Sequence, residues 1–250
     1  MELLLKDPAR CLFVPVMLAE VLSIHETLAL VNELERLSVP ITDIVVNTLY
    51  PQSTCPVCED QRLRQMRKLG NLPEKLTEYS LWGLPLYPEE VRGVRLLDKF
   101  WEGIFPLKSA HSKIANRKSQ IANRQSSIAN VEGPAALPSP GTTLVLFGGK
   151  GGVGKTTLAC STALRMVHEL GDKEVFLFST DPAHSLSACL DEQIGPTPTS
   201  LIPRLTAMEI DPQAEFQTLK DQYAEELEEF LGAISTHLDL AFDREVMERL

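Results

Sequence analysis

Residues 142–158 read TTLVLFGGKGGVGKTTL, and no other stretch constrains the chain as strongly. Thr142 to Phe147 is a short β-branched and apolar run, the pattern of a buried strand. It ends in a glycine cluster. From Lys155 a helical period runs through Leu158, Ala159, Ala163, Val167 and Leu170, and Gly171 stands where a helix C-terminal cap belongs. The loop between strand and helix fits G-x-x-x-x-G-K-[ST], with Gly149, Gly154, Lys155 and Thr156 at the fixed positions. Backbone N–H groups of such a loop, and the helix N-terminus behind it, present partial positive charge to an anion. Glycine lets the backbone curl around a phosphate without a Cβ in the way. The cradle expected here is Gly149, Gly151, Gly152, Val153, Gly154, Lys155, Thr156 and Thr157. Lys155 adds a full charge at the β and γ oxygens, and Thr156 offers a hydroxyl to Mg2+.

Composition sets the outer bounds. A chain of 250 residues holds one large or two small domains. Its net charge of −10 argues against general nucleic-acid binding. No apolar run approaches the roughly 20 residues that span a bilayer; CLFVPVMLAEVL (11–22) is short and contains Glu20. The opening MELLLKDPAR places an acid ahead of the apolar stretch and does not read as a secretory signal. Five cysteines, odd in number and sparse, point to a reducing compartment. The expectation is a cytoplasmic protein, with membrane contact at most peripheral.

KGGVGKTT carries a second lysine, Lys150, which would crowd Lys155 if both faced one phosphate. The stretch resembles the deviant P-loop ATPases, which include the MinD, ParA and ArsA groups. STDPAHSL followed by LTAMEIDPQAEF narrows the resemblance to the ArsA group, the arsenite-pump and tail-anchored-protein-targeting ATPases. The resemblance implies a P-loop α/β fold, with a mostly parallel sheet flanked by helices and an incomplete helical subdomain. It implies ATP and Mg2+ as cofactors. It also implies a nucleotide-bridged dimer, or pseudo-dimer of units, in which Lys150 reaches the partner's phosphates as an arginine finger does. Asp181 ends the strand EVFLFSTD (174–181), where open α/β sheets place ligand chemistry. By resemblance it positions the attacking water, so the expected catalytic set is Lys150, Lys155 and Asp181.

Residues 1–107 have no such loop. They show a strand at 11–16 and then LSIHETLALVNELERL, a helix with a Ser23–Glu26 capping box and an apolar face of Leu28, Val31, Leu34 and Leu37. ITDIVVN reads as a second buried strand ending in Asn47, and STCPVCEDQRLRQMRKLG as a turn leading into a polar helix. LSIHET, VVN, CPVC and LPL…EVRG, in that order, resemble the back half of an ArsA unit. That implies Asn47 at the adenine edge and Pro85 at its face. Cys55 and Cys58 form one C-x-x-C, whereas zinc wants four ligands. In the targeting ATPases two such pairs meet across a homodimer, so dimerisation would supply the missing half; redox chemistry and two idle thiols are the other readings of the pair. Cys11, Cys160 and Cys189 match no arsenite-binding set.

Between the two segments lies SKIANRKSQIANRQSSIAN (112–130), which repeats every seven residues with one Ile and one Ala per heptad. A coiled coil needs two apolar residues spaced three and four apart. Lys108 to Arg124 holds five basic residues and no acidic one, and VEGPAALPSPGTT follows. The stretch reads as a connector. The expected organisation is therefore 1–107 as the back half of an ArsA-like unit, 108–141 as linker, and 142–250 as the front half with the P-loop. Either the chain spans the junction of two tandem units or its halves share one sheet. A linker of about 34 residues reaches roughly 30 Å on average and permits both.

Residues 213–250 read as an acidic helix with Phe216, Leu219, Tyr223, Leu227, Phe230, Leu231 and Ile234 at helical spacing. No strand after Asp181 ends in a Walker B Asp, and Asp211 is not that residue by family position. Nucleotide binding is expected to survive better than hydrolysis. The intact function implied is ATP hydrolysis driving anion export or membrane-protein targeting, with a membrane pump or a tail-anchored client as partner. One alternative is a nucleotide-binding remnant without turnover. Another is a MinD/ParA-type positioning ATPase, for which only the basic connector speaks.

Overall fold

A computed structural model of the chain describes residues 2–107, 138, 141–180, 185–210 and 217–218. The repeat-bearing connector, Asp181 and the acidic stretch beyond Asp211 lie outside the described residues, apart from those isolated positions.

The first segment opens with a short helix α1 (Glu2–Leu5) and a strand β1 (Cys11–Leu18). There follow helix α2 (Val21–Arg36), strand β2 (Asp43–Leu49), helix α3 (Pro56–Gly70), strand β3 (Ser80–Pro85), helix α4 (Gly93–Asp98) and a short strand β4 (Phe105–Pro106). The second segment supplies β5 (Leu144–Gly148), α5 (Lys155–Glu169), β6 (Val175–Ser179), α6 (Ser185–Leu190), β7 (Thr199–Ile202) and β8 (Leu205–Glu209).

Strands of the two segments share one five-stranded sheet, in the order β4-β3-β2-β1-β5. The β1, β2, β3 and β5 strands run parallel, and only the edge strand β4 is antiparallel. Runs such as CLFVPVML and DIVVNTL are near-continuously apolar because strands of a parallel sheet are covered on both faces. Pro15 sits inside β1, although proline has no N–H for a ladder. Its position explains the tolerance. The β1–β5 register ends at Pro15 opposite Gly148, and the β1–β2 register begins at Val16 opposite Val45.

Helix α2 packs on one face of this sheet, where Met17, Ile24, Val31, Ile44, Val46 and Leu76 form a buried cluster. On the other face, Val14, Val16, Val45, Trp101, Val153 and Leu158 close together beneath the start of α5. The remaining buried face of α5, through Cys160, Ala163, Leu164 and Val167, meets Leu177 of β6, Ala207 of β8 and Leu186 and Leu190 of α6. Full burial of a side chain such as Leu164 contributes about 1.5–3 kcal/mol. Helix α5 thus joins the large sheet to a second sheet of order β6-β8-β7. Among the described residues, β5 pairs only with β1, and β6 only with β8.

Two local expectations change. The capping box does not form. Helix α2 begins at Val21 with Glu20 as its cap, and the Ser23 hydroxyl lies inside the first turn, accepting the Leu18 N–H at 3.0 Å. The tight turn from β1, closed by Glu20 N–H on the Leu18 carbonyl, starts the helix early and turns Ser23 back toward the strand. The buried face is accordingly Ile24, Thr27, Val31 and Leu34, with Leu28 at its margin and Leu37 exposed beyond the last turn. Gly171, by contrast, follows the end of α5 with φ +62°, the left-handed conformation its position requires. No helix among the described residues is long and apolar enough to cross a membrane.

Candidate functional site

The carboxyl ends of β1, β2, β3 and β5 lie along one edge of the sheet. From that edge β1 leads into α2 on one face and β5 into α5 on the other, which opens the crevice where α/β sheets bind ligands. The glycine loop starts there. Gly149, Gly152 and Gly154 adopt φ of 152°, 78° and 93°. A Cβ on Gly149 would lie 2.2 Å from the Val16 carbonyl oxygen, so the loop passes against the end of β1 with no room for a side chain. Gly151 and Gly152 face open space on their Cβ side, so the middle of the loop is unobstructed. Helix α5 has no side-chain cap and no acid in its first turn, which leaves its first N–H groups to an anion.

Lys155 and Thr156 are the first residues of that helix. The Lys155 ammonium folds back over the loop and donates to the Lys150 carbonyl at 3.0 Å. The Thr156 hydroxyl lies 2.8 Å from that of Ser185.

Residues of the first segment complete the edge. Asn47, 7% exposed, donates its amide N–H to the Val153 carbonyl at 3.0 Å and accepts the Thr48 N–H at 2.9 Å. The Asn47 amide, two residues before the end of β2, therefore ties the two segments together at the loop. Pro85 ends β3 beside Leu49 and packs near Gly103. Replacing Asn47 with Ala removes a buried bond and orphans the Val153 carbonyl, which should lower unfolding free energy by about 1–3 kcal/mol. Urea denaturation checks this, and a change below about 0.5 kcal/mol would mean that the bond does not hold the loop.

Two contributors went unassigned in the sequence reading. Ser185 lies four residues past Asp181 in the same STDPAHSL stretch and opens α6. Glu209 is 1% exposed, and its carboxylate accepts the Leu186 N–H at 2.9 Å and faces the Ser187 hydroxyl at 3.3 Å. Its signal was the period-two pattern of LTAME, which puts Glu209 on the buried face with Leu205 and Ala207. Below Thr157, the buried Cys189 thiol is held below the usual thiol range by its hydrogen bond with Cys160, against the opposing effect of burial. Its partner Cys160 is pushed up by the same bond and by burial.

The metal expectations divide. Mg2+ takes oxygen ligands and keeps several waters and substrate oxygens. The Thr156 hydroxyl at the mouth of the cradle fits that donor set. Among the described residues, no group of three or more His, Cys, Asp or Glu side chains could hold a metal. Cys55 and Cys58 stand at the start of α3 as a pair, two of the four ligands a closed zinc site takes, and no further ligand of that kind joins them among the described residues.

Residues 1–105 and 142–246 match the family model for the anion-transporting ATPases, ArsA_ATPase. A Halobacterium salinarum protein provisionally named arsenical pump-driving ATPase is 27% identical over 234 residues, covering 90% of this chain and 36% of that protein. The arsenical pump-driving ATPase of Escherichia coli is 38% identical over 109 residues, 41% of this chain and 18% of that protein. The ATPase GET3 of Kluyveromyces lactis is 43% identical over 79 residues, 31% of this chain and 23% of that protein. The chain thus spans between 18% and 36% of the length of these relatives.

Proposed function

From its place in the anion-transporting ATPase family, to which this chain belongs, we propose that it binds Mg2+·ATP in the Gly149–Thr157 loop. The proposed role is that of an ArsA-type ATPase, hydrolysing ATP to drive anion export or membrane-protein targeting. One observation carries the reading: β5, a loop with three positive-φ glycines, and α5 follow in order, with Lys155 and Thr156 in the first helical turn.

The chemistry follows from the chain's own groups. Loop N–H groups and the uncapped start of α5 bind the phosphates, and Lys155 exchanges its carbonyl partner for phosphate oxygens. Thr156 would hold the cation, which neutralises charge developing on the β and γ phosphates. Asp181 is proposed to orient the attacking water, and Lys150 to reach the phosphates of a second unit. Asn47 and Pro85 lie on the strands whose carboxyl ends share the sheet edge with the loop; a place at the adenine edge would require the Asn47 amide to leave Val153 and Thr48. We read residues 1–107 and 142–250 as the back and front halves of ArsA-like units joined by 108–141. Pairing of β1 with β5 supports an arrangement in which the halves share one sheet.

A second reading, binding without turnover, is favoured by a specific observation. Among the described residues, no strand lies beside β5 opposite β1, so none brings a carboxylate to Thr156 from that side. Calorimetric titration of the chain with ATP, with and without Mg2+, followed by phosphate-release assays at saturating nucleotide, decides between the two. Binding with Mg2+-dependent release supports the hydrolase, and binding without release supports the second reading. No binding at millimolar ATP would sink both.

The zinc expectation becomes a statement about assembly. If Cys55 and Cys58 hold zinc, they do so as half of a four-thiolate site shared by two chains. Native mass spectrometry after zinc loading should show one zinc per dimer and none on the monomer. Zinc held by monomers, or a dimer without it, would exclude a shared site.

A further inference from the structure

We propose that Glu209 is a positioning residue for the cation-binding face of the nucleotide site, acting through α6 and Ser185 on Thr156. The inference rests on the reading that the Gly149–Thr157 loop binds Mg2+·ATP.

Glu209 ends β8, at the same level as Ser179 of the parallel strand β6. A carboxylate 1% exposed is costly to keep unless its oxygens are occupied. Here Oε1 takes the Leu186 N–H at 2.9 Å, and Oε2 lies 3.3 Å from the Ser187 hydroxyl. That hydroxyl also accepts the Ile194 N–H at 3.1 Å and sits 3.0 Å from the Ile194 carbonyl. The Glu209 N–H donates to the Gly195 carbonyl at 2.9 Å. One buried carboxylate therefore holds the first turn of α6 to the end of β8, and its own backbone holds the segment that leaves α6.

What the first turn of α6 carries gives this anchor its consequence. Ser185, adjacent to Leu186, places its hydroxyl 2.8 Å from that of Thr156. A threonine hydroxyl has one proton and two lone pairs. When Thr156 gives a lone pair to a cation, its proton must point elsewhere, and Ser185 Oγ stands ready to accept it. Partners behind a metal-binding group fix its orientation, and their loss typically costs 10–100-fold in metal affinity. The chain of contact runs from Glu209 to the Leu186 N–H, through the neighbouring Ser185, to Thr156. A group that served only to stabilise the core would not distinguish metal-bound from metal-free nucleotide.

The test exploits that distinction. The affinity of the whole chain for a fluorescent ATP analogue is measured in EDTA and across a Mg2+ titration, for wild type, Glu209→Gln and Ser185→Ala. Glu209→Gln leaves one acceptor oxygen for two groups, the Leu186 N–H and the Ser187 hydroxyl, and removes the charge that both face. The Mg2+ concentration for half-maximal effect should rise about tenfold in both variants. The EDTA affinity should change less than about twofold, since Lys155 and the loop N–H groups are untouched. Amide exchange at Leu186 should quicken in Glu209→Gln and not in Ser185→Ala. Should Glu209→Gln fail to fold, Ser185→Ala, at a half-buried position, still reports on the Thr156 end. Equal loss with and without Mg2+, or no shift in Mg2+ dependence for either variant, overturns the inference and leaves the nucleotide reading standing. Absence of analogue binding by the wild type would instead remove the reading on which it rests.

Discussion

Replacing Lys155 with Ala is expected to weaken ATP binding by about 10- to 100-fold, the equivalent of the 1.5–3 kcal/mol carried by a hydrogen bond to a charged group. In the structure the ammonium holds the Lys150 carbonyl at 3.0 Å, inside its own loop. That bond is a placeholder, because a carbonyl carries only partial charge and phosphate oxygens are anionic. Losing it costs the free chain little, since the loop's shape is held by Asn47 on Val153 and by the packing of Gly149 against β1. The thermal midpoint should accordingly move by no more than a few degrees while affinity falls. Lys150→Ala makes the contrast. If Lys150 serves a second unit, its loss leaves binding to a single chain unchanged and lowers any turnover that depends on chain concentration. Unaltered ATP affinity in Lys155→Ala would show that the loop is not the phosphate site.

The largest stability effect is expected at Gly149. An Ala there would carry φ +152°, and its Cβ would fall 2.2 Å from the Val16 carbonyl oxygen. The obstacle is backbone in the middle of the sheet, so no side chain can swing aside. Strain of this conformation costs about 1–3 kcal/mol, and overpacking adds a similar amount. The urea midpoint should fall by more than about 1 M. Gly151→Ala is the control: its Cβ would meet nothing within 4 Å, and its φ is not positive. It should unfold with wild type to within about 0.5 kcal/mol. Equal midpoints for Gly149→Ala and wild type would mean that the loop does not lie against β1.

The two halves of the site differ in how far they could be read from the chain. The glycine loop was legible because its determinants are local. A β-branched run, glycines with positive φ and an apolar period of 3.6 act over a few residues, through torsions and hydrogen bonds that neighbours in sequence impose. The same holds for Gly171 at the end of α5. Ser23 shows where local pattern fails. Its spacing to Glu26 suits a capping box, but the Leu18 N–H at the end of β1 takes the hydroxyl instead.

The comparison with known proteins matches both segments to the family that KGGVGKTT and STDPAHSL already suggested. What those residues could not specify is who stands behind whom. Asn47 reaches Val153 across 106 positions, β5 joins β1 from the other side of the connector, and Glu209 returns 23 positions to hold Leu186. Such contacts have no sequence period. They arise when apolar faces of helices and strands bury against one another, and that attraction is non-directional and blind to separation along the chain. By itself the sequence determined a glycine loop between a strand and a helix, carrying Lys150 and Lys155. Only the tertiary structure decided which buried amide braces that loop and which buried carboxylate holds the first turn of α6 beside it, because both depend on how separate elements pack.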